Sequence, residues 1–63
     1  MFDSDKLKRY LEENKISNAK FGDEIGTSGT MVSYLARGYK QPSAALLKRI
    51  AEAMGTTMED LMA

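Results

Sequence analysis

Apolar residues in this chain recur at intervals of three and four positions, the spacing that places side chains on one face of an α-helix. Two such stripes lie near the start of the chain and in its second half: Leu7, Tyr10, Leu11 and Leu46, Leu47, Ile50, Ala51, Met54. β-Branched residues are sparse and nowhere alternate with polar ones, so no strand is predicted. The pattern therefore predicts an all-α fold.

Between the two stripes, the sequence SNAKFGDEIGTSGTMVSYLARG predicts two short helices joined at a glycine. Phe21 and Ile25 share one helical face, as do Val32 and Leu35. Gly26 lies between them, where a chain that leaves a helix commonly needs a positive φ. This pair cannot bury both apolar faces alone, so other helices must close over it. The outer side of its second helix then remains available to a partner.

Capping residues predict where the helices begin and end. The expected N-caps are Asp3 or Ser4, Ser17, Ser28, Ser43 and Thr57. We expect the second helix to end at about Ile25 and the third to span about 29–36. Pro42 disfavours helix at the preceding residue, so a loop separates the third helix from the fourth. Gly55 is expected to end the fourth helix.

A short fifth helix after Thr57 is expected to complete the core. Its apolar residues are Met58, Leu61 and Met62. Further residues at core spacing are interpreted as packing; they are Ile16, Phe21, Met31 and Met54. Five helices in one domain, residues 1–63, are therefore predicted, and a domain of this size buries only about 60% of its unfolded surface.

The composition excludes several classes of chemistry. The chain contains no cysteine and no histidine, so it has no disulfide, no thiolate metal site and none of the usual imidazole bases. No apolar run approaches the ~20 residues of a membrane span, and the start lacks a secretory pattern. We expect a cytoplasmic protein with no membrane partner, no metal and no other cofactor.

The distribution of charge points to a nucleic-acid partner, although the formal net charge is zero. Asp and Glu are absent from residues 25–51, a stretch that carries Arg37, Lys40, Lys48 and Arg49. Charge alone does not separate a binding surface from a solvated face that lacks acids. Because the positive stretch includes the second helix of the pair, the two signals together favour nucleic-acid binding.

The residues of this segment and its surroundings resemble the phage Cro/repressor-like (XRE-type) helix-turn-helix family. The matching positions are Phe21, Gly22, Ile25, Gly26, Val32, Leu35, Arg37-Gly38, Pro42-Ser43 and the stretch GTTMEDL that ends at Leu61. The resemblance covers the chain from Leu7 to Leu61. It implies a compact five-helix, lambda-repressor-like domain whose second and third helices form the helix-turn-helix. It also implies a sequence-specific regulator that binds double-stranded DNA as a repressor and has no enzymatic activity.

By match to the family, Thr30 and Tyr34 are the side chains expected to enter the major groove, with Ser33 near its edge. The expected contacts to the DNA backbone come from the start of the second helix, the turn and the loop after the third helix: Asn18, Ser28, Gly29, Arg37, Lys40 and Gln41. Two plainer alternatives stay open. Tyr34 could be a half-buried filler beside Leu35, and Lys40 an ordinary solvated lysine.

The sequence departs from the family pattern at three places. Thr27 is polar where relatives usually carry an aliphatic residue. Gly29 has no side chain at the first base-facing position of the recognition helix. Leu11 and Ala36 occupy positions where many relatives pair an arginine with a glutamate, so an apolar contact is expected in place of the ion pair.

The sequence also bears on three other function classes. The stretch Gly26-Thr27-Ser28-Gly29 partly matches a nucleophile elbow, but Thr30 replaces the final glycine and no histidine can activate the serine. The same stretch fits the GXXG loop of KH domains, but no strands are predicted for the sheet of that fold. A helical protein-interaction module that has lost DNA binding stays open as the alternative.

The sequence is expected to offer little apolar surface for self-association. Relatives bind two-fold symmetric operators as dimers. The sequence stops at Met62-Ala63, and the exposed apolar residues expected nearby are too few for an obligate interface of more than ~2,000 Å². We expect a monomer in dilute solution and a weak homodimer on DNA. The alternative is that the chain is the amino-terminal part of a longer repressor whose remainder dimerises.

Overall fold

The computed structural model describes residues 1–62 and leaves Ala63 outside the described residues. The elements in chain order are α1 (Ser4–Glu13), α2 (Asn18–Ile25), α3 (Gly29–Ala36), α4 (Ala44–Met54) and a closing 3₁₀ turn (Glu59–Leu61). Residues 1–62 contain no strand, only an isolated antiparallel bridge between Phe2 and Met62. The all-α prediction is confirmed. Within the same residues, no helix has both the length and the apolar character that a membrane span requires.

Short polar side chains begin the helices where the sequence predicts them. The carboxylate of Asp3 accepts the Lys6 amide at the start of α1. Three serine hydroxyls accept the amide three residues ahead in α2, α3 and α4; they are Ser17, Ser28 and Ser43. Each cap satisfies an amide that has no partner within its helix. Gly26 ends α2 with a φ of 78°, as a turn of this kind requires.

The core is formed by the inward stripes of all four helices and the closing turn. Its buried side chains are Phe2, Leu7, Leu11, Phe21, Ile25, Val32, Leu35, Leu47, Ile50, Ala51 and Leu61. Partly buried residues pack around them, among them Tyr10, Ile16, Met31, Leu46, Met54 and Met58. Every one of these buried hydrophobic side chains except Phe2 belongs to an apolar set predicted from the sequence. Helical periodicity therefore predicts the core almost completely.

The two ends of the chain differ from the sequence prediction. The expected fifth helix is a single 3₁₀ turn, although the Thr57 hydroxyl does accept the Asp60 amide as a cap. Beyond the turn, the backbone of Met62 is extended and pairs with Phe2. Met62 is 46% exposed and does not close the core, whereas Phe2 is 3% exposed and does. Phe2 was missed because an isolated apolar residue before the first helix has no periodicity.

Asp60 ties the closing turn to α1. Its carboxylate accepts the Thr56 hydroxyl at 2.7 Å, and the Lys6 Nζ lies 3.3 Å from Oδ1. The Thr56 hydrogen bond and then Lys6 hold the pKa of Asp60 below its ordinary value. Because folding lowers the pKa of Asp60, its ionised carboxylate stabilises the fold at any pH above the ordinary carboxyl pKa. The stabilisation is lost as the pH falls through the lowered pKa of Asp60 in the folded protein.

Helices α2 and α3 approach closely because each places a glycine against the backbone of the other segment. A Cβ at Gly22 would lie 2.8 Å from the carbonyl carbon of Ser28, and a Cβ at Gly29 would lie 2.9 Å from the Cα of Ala19. The need for a small residue at Gly22 is confirmed. Gly29 is likewise required by packing, because a Cβ there would meet the backbone of Ala19 in α2.

We expect Gly22→Ala to destabilise the fold by about 1–3 kcal/mol, the range for overpacking a well-packed site. The added methyl meets backbone atoms, which cannot rotate away, and this outweighs the ~1 kcal/mol that alanine gains over glycine inside a helix. Urea denaturation followed by circular dichroism measures the change. The control is Lys20→Ala, an exposed position in the same helix. A Gly22→Ala protein as stable as wild type would show that the two helices can separate at little cost.

Candidate nucleic-acid interface

The outer side of α3 carries Thr30 and Tyr34, which lie four positions apart and therefore share one face. Thr30 is exposed and Tyr34 is half-buried. The opposite face of the helix carries Val32 and Leu35, both fully buried. The division of α3 into an inward and an outward face is thus confirmed. Two side chains with hydroxyl groups, one exposed and one half-buried, therefore lie on the outer side of α3.

Tyr34 is neither a core filler nor a freely projecting side chain. Its ring centroid lies 6.3 Å from that of Tyr39, with 38° between the ring planes. The Lys40 amino group lies 5.4 Å from the Tyr34 ring centroid, within cation–π range. The structure therefore places the exposed Lys40 side chain over the Tyr34 ring, and its predicted contact with a DNA backbone stays a prediction.

Arg37 is held at the C-terminal end of α3 by two neighbours. Its Nε and Nη2 atoms lie 3.3 Å and 3.1 Å from the Ser33 hydroxyl oxygen, which accepts from both. Its guanidinium carbon lies 5.0 Å from the Tyr39 ring centroid. Ser33 is half-buried and occupied with Arg37 in this arrangement. Its hydroxyl therefore orients a cation, a role that the sequence did not predict for it.

Asn18 is exposed as the first residue of α2. The Ser17 cap accepts the amide of Lys20, so the earlier amides of the helix are left to solvent or to a ligand. Helix N-termini carry partial positive charge, which favours an anion there. At the start of α3, the Ser28 hydroxyl accepts the Met31 amide, which confirms its predicted capping role.

Gln41 has a contact that the sequence did not indicate. Its side-chain oxygen accepts the backbone amide of Phe2 at 2.8 Å, so it anchors the amino-terminal segment to the loop between α3 and α4. Gln41 itself remains exposed. Gln41 therefore has a structural role, because its side chain helps to hold Phe2 in the core. Its contact with a DNA backbone stays a prediction.

A surface groove of about 700 Å³ lies between α1, the start of α2 and the end of α3. Leu11 and Ala36 both line it, as expected for residues that stand in place of a family ion pair. Ile16 adds to its apolar floor. The cations along the groove are Lys8, Lys15 and Arg37, and its acid is Glu12. Asn18 and Arg37, both predicted to contact a DNA backbone, line the same groove.

The remaining cations of the positive stretch lie on α4. Lys48 and Arg49 are exposed, as predicted. Arg49 lies over the helix-turn-helix turn, because one of its guanidinium nitrogens is 3.0 Å from where a Cβ at Gly26 would lie. Among residues 1–62, no group of three His, Cys, Asp or Glu side chains is placed to hold a metal ion.

Comparison with known proteins identifies the arrangement of α2 and α3. The helix-turn-helix family model matches residues 7–61 of this chain. The chain belongs to the XRE-type helix-turn-helix family. Its fold is also that of the P22 c2 repressor protein, whose crystal structure was determined in complex with synthetic operator 9T in the presence of Tl⁺. The two share 19% sequence identity and a TM-score of 0.91 over 98% of this chain and 94% of that chain. No curated protein matches the sequence significantly.

Within this helix-turn-helix domain, sequence reasoning missed Tyr39, which contacts both Tyr34 and Arg37. A signal was available in the sequence. Gly38 directly follows the residue that ends α3, and a glycine at that position turns the next residue back onto the helix. An aromatic residue after such a glycine is therefore expected to lie against the last turn of the recognition helix.

We expect Leu11→Arg to destabilise the domain by about 3 kcal/mol, because it places an unpaired cation at a position that is 5% exposed. The double variant Leu11→Arg with Ala36→Glu is expected to recover part of this loss, since the two positions line one groove. Chemical denaturation of the single and double variants measures both changes. Leu11→Met, which conserves volume, is the control. A double variant no more stable than Leu11→Arg alone would show that the two side chains do not meet.

Proposed function

We propose that this protein is a transcriptional regulator that binds double-stranded DNA in a sequence-specific manner and represses transcription. The supporting observation is the outer side of α3, where Thr30 is exposed, Tyr34 is half-buried, and Arg37 and Lys40 lie at the C-terminal end of the helix. In the proposed complex, α3 lies in the major groove, as the second helix of a helix-turn-helix does. The similar P22 c2 repressor was crystallised with an operator, which supports the same partner here.

Thr30 and Tyr34 supply the base contacts in this proposal. The Thr30 hydroxyl can bond to a base edge, and its methyl can contact the methyl of thymine. The Tyr34 hydroxyl can donate to a base acceptor while its ring lies along the groove wall. With only two side chains of this kind on α3, the recognised half-site is expected to be short.

Contacts to the DNA backbone flank the base contacts on both sides. Asn18 and the free amides of α2 face one phosphate, since a helix N-terminus favours an anion. Arg37 and Lys40 provide cations at the opposite end of α3. Contacts of this type orient a protein on the duplex and make affinity fall with salt, but they carry no sequence information.

The second candidate is a helical protein-interaction module that has lost DNA binding. The net charge of zero favours it, since non-specific attraction to DNA is then weak. The two candidates differ in a selection experiment that starts from a pool of random duplexes. A regulator enriches one sequence family, and its affinity for that sequence decreases steeply with added salt. An interaction module enriches none.

The selected duplex then tests the roles of individual residues. We expect Thr30→Ala and Tyr34→Ala to change the preference at one or two base positions by about 1–3 kcal/mol. Arg37→Ala and Asn18→Ala are expected to weaken all duplexes alike, and Arg37→Ala to reduce the salt slope by about one unit. Binding is measured by fluorescence anisotropy on the selected duplex and on single-base variants of it.

Arg9→Ala is the matched control, because it removes an exposed cation from α1 beside Tyr10 and Met54, away from α3. It should leave binding close to wild type. An altered sequence preference in Arg37→Ala together with an unchanged one in Tyr34→Ala would contradict the placement of α3 in the groove.

We further propose that the protein is a monomer in dilute solution and forms a weak homodimer on DNA. An obligate interface buries about 1,000 Å² or more on each partner, which is a quarter of the 3971 Å² that the described residues expose. The exposed large apolar side chains in this part of the chain are Met1, Tyr39 and Met62. Such a small set cannot supply an apolar interface of that size.

Sedimentation at micromolar concentration, with and without the selected duplex, measures assembly. We expect one sedimenting species of monomer mass for the free protein. On a duplex with two half-sites about one turn apart, we expect two copies, with the second binding more tightly than to an isolated half-site. A stable dimer of the free protein would contradict the proposal.

A further inference from the structure

Tyr39 is the most exposed aromatic residue among those that the structure describes. Its side chain is 68% accessible, whereas both phenylalanines are buried and the other two tyrosines are half-buried. A ring with this exposure adds little to stability by burial. It nevertheless has a defined position, between a side chain proposed to read bases and one proposed to contact phosphate.

The backbone of Tyr39 is fixed by the way α3 ends. Its amide donates to the carbonyl oxygen of Tyr34 at 2.9 Å, and the Gly38 amide donates to that of Leu35 at 3.2 Å. Gly38 has a φ of 80°. These two bonds and the left-handed glycine form a Schellman motif, which folds the residue after the glycine back onto the last turn of the helix. The contact between the Tyr39 and Tyr34 rings is the side-chain contact of that motif.

The Arg37 guanidinium is consequently held from two directions. The Tyr39 ring lies 5.0 Å from its guanidinium carbon, and the Ser33 hydroxyl accepts from Nε and Nη2. A guanidinium has five N–H groups in a plane, so several remain for an anion after the bonds to Ser33. An arginine stacked on an aromatic ring keeps this plane oriented, and a cation that is already ordered loses less side-chain entropy on binding.

We propose that Tyr39 is a positioning residue of the DNA interface, whose ring, seated on Tyr34, orders the Arg37 guanidinium for a phosphate. This inference rests on the proposed function. It differs from a direct contact, because Tyr39 acts through Arg37. It also explains why the residue directly after the helix-ending glycine is aromatic, since an aliphatic residue would supply the apolar contact of the Schellman motif equally well.

Two substitutions distinguish the effect of the aromatic ring of Tyr39 from the effect of its apolar contact with Tyr34. Tyr39→Phe keeps the ring, and we expect its affinity for the selected duplex to stay within about twofold of wild type. Tyr39→Leu keeps an apolar contact with Tyr34 but removes the aromatic face, and we expect a loss of about three- to tenfold. Thermal unfolding of both variants checks the fold, and both midpoints should match wild type. In an Arg37→Ala background, adding Tyr39→Leu should change affinity by less than twofold.

The side-chain Nε–Hε resonance of Arg37 in the free protein provides a measurement that does not depend on DNA. Ring-current shielding should move it upfield in wild type and in Tyr39→Phe, and the shift should vanish in Tyr39→Leu. Three results would each overturn the inference and leave the proposed function standing. They are a wild-type affinity of Tyr39→Leu for the duplex, a loss of affinity from Tyr39→Leu that is as large in the Arg37→Ala background as in wild type, and an unshielded Arg37 resonance in the wild-type protein. Failure of the wild-type protein to enrich any duplex would overturn both.

Discussion

The close approach of α2 and α3 is the constraint on which the rest of this molecule depends. It exists because two positions lack a side chain: a Cβ at Gly22 would meet the carbonyl of Ser28, and a Cβ at Gly29 would meet Ala19, both at less than 3.0 Å. Backbone-to-backbone contact fixes the angle between the helices more firmly than flexible side chains could. The angle in turn decides which residues of α3 face the core and which face outward.

Contacts along its whole length allow α3 to be rigid although it is short. An isolated helix of eight residues is unstable in water, because the cost of nucleation is not recovered over two turns. In this domain α3 is fixed by Val32 and Leu35 in the core, by the Ser28 cap at its start and by the Schellman motif at its end. The outward face can therefore be polar without loss of helical structure.

Much of this fold could be predicted from the sequence because local signals and periodicity agree. The serine caps predict the first residues of α2, α3 and α4 correctly. Apolar spacing predicts ten of the eleven buried hydrophobic side chains of the core, Phe2 being the exception. Phe2 was missed and Met62 was wrongly placed in the core, because their environments depend on a bridge between the two ends of the chain. Such a contact is distant in sequence and leaves no periodic pattern.

The candidate site was less predictable for a related reason. The outward positions of Thr30 and Tyr34 follow from helical spacing, but the contacts of Arg37, Lys40 and Gln41 depend on the path of the loop after α3. That path follows from a positive φ at Gly38. A glycine permits a positive φ without requiring it. The contacts of the side chains in this loop therefore could not be predicted from the sequence.

A net charge of zero is compatible with the proposed DNA partner for a physical reason. Charges in water are screened within about 8–10 Å at physiological salt, a distance smaller than half of the 24 Å length of this domain. A phosphate therefore responds to the few groups nearest to it. Two of the nine acids are also engaged locally, Asp3 with an amide at the start of α1 and Asp60 with Lys6 and Thr56. A neutral total is thus compatible with a positive outer end of α3, where Arg37 and Lys40 are the only ionised side chains from Ile25 to Gln41.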